Sequence, residues 1–130
     1  NILKQSPYKK MVSFHGFKKN ILEYIYAADC LLLTANAEAS PRVIYEAMAL
    51  KTVVIASDID GVPELIKDNE TGYLYKKNDI DNLFLKMKES LSSNETDNIV
   101  ENAYRYYHQT FSNQIHEKNY KKLLNLLESL

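Results

Sequence analysis

Short apolar runs alternate with amphipathic segments along most of this chain, and that alternation is its strongest constraint on fold. Met11-Val12-Ser13-Phe14, Cys30 to Thr34, Thr52 to Ala56 and Gly72 to Tyr75 each have the length and composition of a strand. Between them, Ile21 to Ala28, about Pro41 to Leu50, Val62 to Ile66 and the segment from Asp79 to Leu91 carry apolar residues at helical spacing or helix-start residues. Thr52 to Ala56 is apolar on both sides, as in a strand covered on two faces. Each connection is long enough for a crossover helix. The pattern predicts an α/β fold, with a Rossmann-like parallel sheet, right-handed crossovers and helices on both faces.

The inner faces follow from the same spacing. Ile21, Leu22, Ile25 and Ala28 line the first helix, and Val43, Ile44, Ala47, Met48 and Leu50 the second. Leu83, Phe84, Met87 and Leu91 are assigned to the inner side of the helix that Asp79 caps. Asp97 to Phe111 reads as a helix with Ile99, Val100, Ala103, Tyr104 and Tyr107 inside. Ser112 caps a last helix to Leu130, striped by Ile115, Tyr120, Leu123, Leu124 and Leu127.

The stretch Glu38-Ala39-Ser40-Pro41-Arg42-Val43-Ile44-Tyr45-Glu46 carries the chemistry. It leaves the strand at Cys30 and opens a helix. Ser40 suits the N-cap and Pro41 the first helical position, where no N–H is needed. A helix start presents unpaired N–H groups and partial positive charge, which favours an anion. In an open parallel sheet such a turn lies at the carboxyl ends of the strands, where ligands bind. Glu38 precedes the helix start and Glu46 follows it; carboxylates accept hydrogen bonds from sugar hydroxyls. Arg42 and Glu46 stand four apart, and a surface ion pair between them explains the same residues without a ligand.

Glu38 and Glu46, with seven residues between them, resemble the E-x7-E motif of retaining glycosyltransferases of the GT-B fold, and SPRVIYEAMA is similar to glycosyltransferase family 4. The resemblance continues through Val53 to Ser57, Gly61-Val62-Pro63-Glu64-Leu65-Ile66, Thr71 to Leu74 and Asn78-Asp79, and upstream through Val12 to Gly16 and Tyr26 to Asp29. It implies that residues 1–130 form part of a nucleotide-sugar (donor)-binding domain, the carboxyl-terminal half of a GT-B fold shortened at its amino-terminal side. The amino-terminal acceptor-binding domain would be absent.

By that resemblance Glu46 holds the nucleotide's ribose hydroxyls. Glu38 is the catalytic-site carboxylate on the donor sugar. Ala39, Ser40, Pro41, Arg42 and Val43 surround sugar and diphosphate, and Pro41 offers no N–H. Gly16-Phe17-Lys18 lie beside the nucleobase, where Phe17 either stacks on the base or packs on Ile21. The implied reaction moves a sugar with retention from a nucleotide-diphosphate sugar to a hydroxyl acceptor, with no cofactor and no metal. A rival reading is a GT-B-like nucleotide-sugar binder without transferase activity, of epimerase or phosphorylase type. Two departures from the family stand out: Ala39 where Gly is common, and Lys51-Thr52-Val53 where Gly-x-Pro is usual.

Composition narrows the partners. The formal net charge is −1, which gives no basic footprint for nucleic acid. A single cysteine, Cys30, argues against a disulfide framework. No apolar run approaches the roughly 20 residues of a membrane helix, and the start lacks a signal-peptide pattern. The expectation is a cytoplasmic domain, with a membrane-peripheral acceptor at the inner face left open. Asp58 and Asp60 resemble a metal-binding D-x-D, but Asp60 as a helix cap explains the pair without metal. His15, His108 and His116 share no ligand spacing, Glu64 sits in a first helical turn, and Tyr104, Tyr106 and Tyr107 read as packing.

Overall fold

A computed structural model describes residues 6–92 and 95–128. The order is a 3-10 turn Lys9–Met11, α1 (Ile21–Tyr26), β1 (Cys30–Leu33), α2 (Arg42–Ala49), β2 (Val53–Asp58), α3 (Val62–Leu65), β3 (Tyr73–Lys76), α4 (Ile80–Ser92), α5 (Glu95–Thr110) and α6 (Asn113–Glu128). The three strands form one parallel sheet in the order β1-β2-β3. Cys30 pairs with Val53 and Leu33 with Ala56; Ile55 pairs with Tyr73 and Asp58 with Lys76.

Side-chain alternation along β2 divides the core. Val54 and Ala56 face one layer, with Ile25 of α1, Ile44, Ala47 and Met48 of α2, Val62 and Leu65 of α3, and Ala103 of α5. Val53 and Ile55 face the other, with Tyr73 and Tyr75 of β3, Ile99 of α5, and Leu83 and Met87 of α4. α5 packs chiefly on α2 and also reaches β2 and α4, so it contributes to both layers. The expected α/β sheet with helices on both faces is present. Thr52 locks its lower end, donating from Oγ1 to the Ile25 carbonyl at 2.9 Å.

Several expectations need correction. Met11 to Phe14 is not a strand: beyond the 3-10 turn the chain runs outside the sheet, and the Met11 and Phe14 side chains are 81% and 85% exposed. Apolar residues alone do not hold a strand; it needs a ladder partner, and β1 remains a sheet edge. Consequently Leu32 is exposed rather than buried, as are Ile21 and Leu22 on α1. On α4 the inner face is Leu83 and Met87, while Phe84 and Leu91 point to solvent.

Cap assignments also shift. Asp79 does cap α4, its Oδ1 accepting from the Asn82 N–H at 2.9 Å. Asn20, at the start of α1 and of a residue type that commonly caps, accepts the Glu23 N–H through its carbonyl at 3.1 Å, while its side-chain amide makes no cap and donates to Glu23 Oε2 at 2.8 Å. The Ser112 hydroxyl donates back to the His108 carbonyl at 2.9 Å. The side chains of His116, Tyr120, Leu123, Leu124 and Leu127 lie outside the described residues. Among those described, no helix is long and apolar enough to cross a membrane.

Lys51 follows α2 with φ 58°. Its N–H donates to Met48 O at 3.3 Å and the Thr52 N–H to Ala47 O at 2.9 Å. This is the Schellman closure that normally carries glycine, and Lys51 takes the left-handed conformation there in its place.

Candidate functional site

The loop that leaves β1 lies on the rim at the carboxyl ends of the strands and is held from three sides. At the end of β2, Ser57 Oγ donates to the Ala35 carbonyl at 2.8 Å. After β3, Lys77 Nζ donates to the Asn36 carbonyl at 2.7 Å. From the turn before α3, Asp60 Oδ2 accepts the Glu38 N–H at 3.1 Å. Asp60 therefore does not cap α3, whose boundary residue Gly61 makes no side-chain cap. Gly61 itself comes so close to the loop that a Cβ there would overlap the Ala39 carbonyl oxygen. None of these tethers is visible from sequence spacing, because each joins residues more than twenty apart.

α2 begins one residue later than expected. Pro41, with ψ 106° and buried, is its boundary residue, and Arg42 is the first helical position. Ser40 does not cap: its hydroxyl lies 3.5 Å from the Tyr45 hydroxyl. The Ile44 N–H donates to the Pro41 carbonyl at 3.0 Å. Among the described residues the Arg42 and Val43 N–H groups have no such acceptor, which leaves two donors at the positive end of the helix. Ala39 and Ser40 are exposed just ahead of them.

Glu38 and Glu46 are both half-buried. Among the described residues neither carboxylate is taken up by an ion pair or hydrogen bond, and Arg42 makes no salt bridge to Glu46. The ion-pair explanation of Arg42 and Glu46 therefore fails. Glu46 and Arg42 line a groove of about 570 Å³ between α1, α2 and the α5–α6 corner, walled by Leu22, Tyr45, Tyr107 and Phe111. The Tyr45 ring packs edge-on against Phe111 with centroids 4.8 Å apart, fixing one wall. Glu38 is not on this groove; it stays on the rim loop. A smaller cavity, about 190 Å³, opens on the rim between Thr34, Asn36, Ser57, Tyr75 and Lys77.

The loop Gly16-Phe17-Lys18 stands apart from the groove lining, next to α1. Gly16 has φ 61°, and the turn brings His15 against Tyr24 at 5.3 Å and Lys18 Nζ over the same ring at 5.9 Å. Phe17 is 90% exposed, so it does not pack on Ile21 and its ring face is free. Cys30 is half-buried; burial, with Asp29 beside it, pushes its thiol up.

The chain superposes on Anabaena Alr3699/HepE, solved in complex with UDP, with TM-score 0.79 and 26% identity over 94% of this chain and 33% of that one. It superposes on sucrose-phosphate synthase from Thermosynechococcus elongatus with TM-score 0.84 at 23% identity, over 98% of this chain and 33% of that one, a likeness of fold. In sequence it is 35% identical over 68 residues to N-acetyl-alpha-D-glucosaminyl L-malate synthase of Bacillus anthracis, covering 52% of this chain and 18% of that protein. The chain thus spans about a fifth of the length of such curated relatives and a third of the solved structures. Its structural neighbours have the GT-B fold. The family model "Glycosyl transferases group 1" matches residues 1–106, and the chain belongs to that family.

Proposed function

We propose that this chain is the donor-binding domain of a retaining, family 4 glycosyltransferase that moves a sugar from a nucleotide-diphosphate sugar to a hydroxyl acceptor. One observation carries the reading: at the open N-terminus of α2, the N–H groups of Arg42 and Val43 and the two carboxylates on either side have no partner among the described residues. The free donors suit a diphosphate and the free acceptors suit hydroxyls. Structures of Anabaena Alr3699/HepE with UDP, with UDP and glucose, and with UDP-glucose support a nucleotide-sugar ligand.

The parts divide by chemistry. Glu46, on the groove wall, accepts hydrogen bonds from the ribose. The groove's volume lies in the ordinary range for small-molecule sites. The Arg42 and Val43 N–H groups face the diphosphate, and Ala39 and Ser40, exposed ahead of them, face the sugar, while Pro41 shapes the turn without donating. As the glycosidic bond breaks, the leaving diphosphate gains negative charge and the sugar becomes cation-like. The fixed dipoles at the helix start stabilise that charge without having to reorganise. Glu38 holds the donor sugar's hydroxyls and so orients the reacting carbon. The leaving phosphate assists the acceptor hydroxyl, and no metal or other cofactor is needed. Phe17, with Gly16 and Lys18, covers the base. The acceptor is bound by a domain outside this chain, and the proposed setting is cytoplasmic, with an acceptor at the inner membrane face compatible with it.

Glu46→Gln tests the nucleotide half. A charge-assisted bond is worth about 1.5–3 kcal/mol, so calorimetric affinity for UDP falls by that amount in the variant. Equal affinity in the two proteins refutes the ribose role.

A further inference from the structure

We propose that the Asp60-Gly61 turn positions the Glu38-Ala39 loop and thereby sets the affinity for the sugar end of the donor, apart from its nucleotide end. The inference rests on the donor-site reading above. Two independent contacts carry it. Asp60 Oδ2 accepts the Glu38 N–H at 3.1 Å across twenty-two residues. At Gly61 there is no room for a side chain, because a Cβ would overlap the Ala39 carbonyl oxygen. The first contact holds the Ala37–Glu38 peptide, and the second bounds the Ala39–Ser40 peptide. Together they bracket the peptide between them, which follows the carboxylate-bearing residue.

The turn is shaped for this task. Asp60 has φ 42°, in the left-handed region that Asp, Asn and Gly adopt most easily. Its carboxylate is exposed and serves no cap on α3. β2 ends at Asp58, so the turn is anchored directly to the central strand, with Ile59 and Val62 in the core on either side. Glu46 and the groove lie on α2 and α1, outside these contacts. Loosening the turn therefore disturbs the sugar-facing loop and leaves the nucleotide-facing groove in place. Asp60 is a positioning residue: it acts through Glu38 and does not touch the ligand.

The left-handed φ makes a clean comparison possible. Asp60→Gly keeps the backbone conformation and removes the acceptor. Asp60→Asn keeps the conformation and an acceptor oxygen. Gly61→Ala leaves Asp60 intact and pushes on the Ala39 carbonyl.

The experiment measures the affinity of the 130-residue chain for UDP and for UDP-glucose by calorimetry, and the exchange rate of the Glu38 amide by NMR without ligand. Asp60→Gly and Gly61→Ala weaken UDP-glucose about tenfold and change UDP by less than about twofold. Asp60→Asn restores binding close to that of the parent chain. The Glu38 amide loses protection in Asp60→Gly and keeps it in Asp60→Asn. A folded Asp60→Gly chain that binds UDP-glucose as tightly as the parent overturns the proposal, as does an equal loss for UDP and UDP-glucose. If the parent chain binds neither ligand, the donor-site reading itself falls and this inference with it; parent binding with unchanged variants sinks the inference alone.

Discussion

Lys51 shows what a single residue can cost and return. It holds φ 58° at the Schellman closure of α2, a conformation costing a non-glycine residue about 1–2 kcal/mol. In return its ammonium pairs with Glu101 Oε2 at 2.7 Å and lies 4.6 Å from the Tyr104 ring centre. Lys51→Gly and Lys51→Ala both lose these contacts, but only Gly releases the backbone. Chemical denaturation should therefore find the Gly variant more stable than the Ala variant by about 1 kcal/mol. An Ala variant as stable as the Gly variant would show that φ is not strained there.

The partner carboxylate gives a pH signature. The hydrogen bond from Lys51 to Glu101, with Lys51 and Arg105 as nearby charges, holds the Glu101 carboxyl below its ordinary value. Its folded-state value is the lowered one, so its stabilisation is present above the unfolded value and is lost as pH falls through the folded one. The melting-temperature gap between the parent chain and Glu101→Gln should thus be open near neutrality and close in acid. A gap unchanged down to pH well below the carboxylate range would contradict the pairing.

At the scale of elements, what the sequence made legible follows from where each side chain goes. β2 reads clearly because Val53 to Ala56 is buried on both faces, so its composition has one explanation. α4 reads clearly at its start because Asp79 caps Asn82 locally. Removing that cap in Asp79→Ala should cost about 1 kcal/mol by thermal or denaturant unfolding; no change would mean that the Lys76–Asn82 bond alone closes the turn. Met11 to Phe14 misleads because its composition is that of a strand, and no strand among the described residues pairs with it. Phe84 and Leu91 mislead because helical spacing gives a face, and only packing decides how wide the covered part is. The same holds at the site. Glu38, Arg42 and Glu46 are legible as a motif, but Pro41 in place of Ser40 as the helix boundary, and the tethers from Ser57, Asp60 and Lys77, depend on tertiary approach.

Across the whole molecule, the two-layer core is what presents the rim. β2 is the axis: its Val54 and Ala56 seat α2 on one side, and its Val53 and Ile55, with Tyr73 and Tyr75 of the neighbouring β3, seat α4 on the other. The loop after β1, the turn before α3 and the segment after β3 all emerge at the carboxyl ends of those strands and meet there. In an open parallel sheet that edge is where ligands gather. On the proposed function, this edge, at the start of α2, receives a nucleoside diphosphate.

The most direct measurement is a two-dimensional amide NMR titration of the chain with uridine, guanosine and adenosine diphosphates in parallel. A nucleoside-diphosphate site at the start of α2 predicts saturable shifts at Arg42 and Val43 for at least one of them, extending along α2 to Glu46, with β3 and α4 unmoved. Spectra that stay unchanged at Arg42 to Glu46 with all three would contradict it.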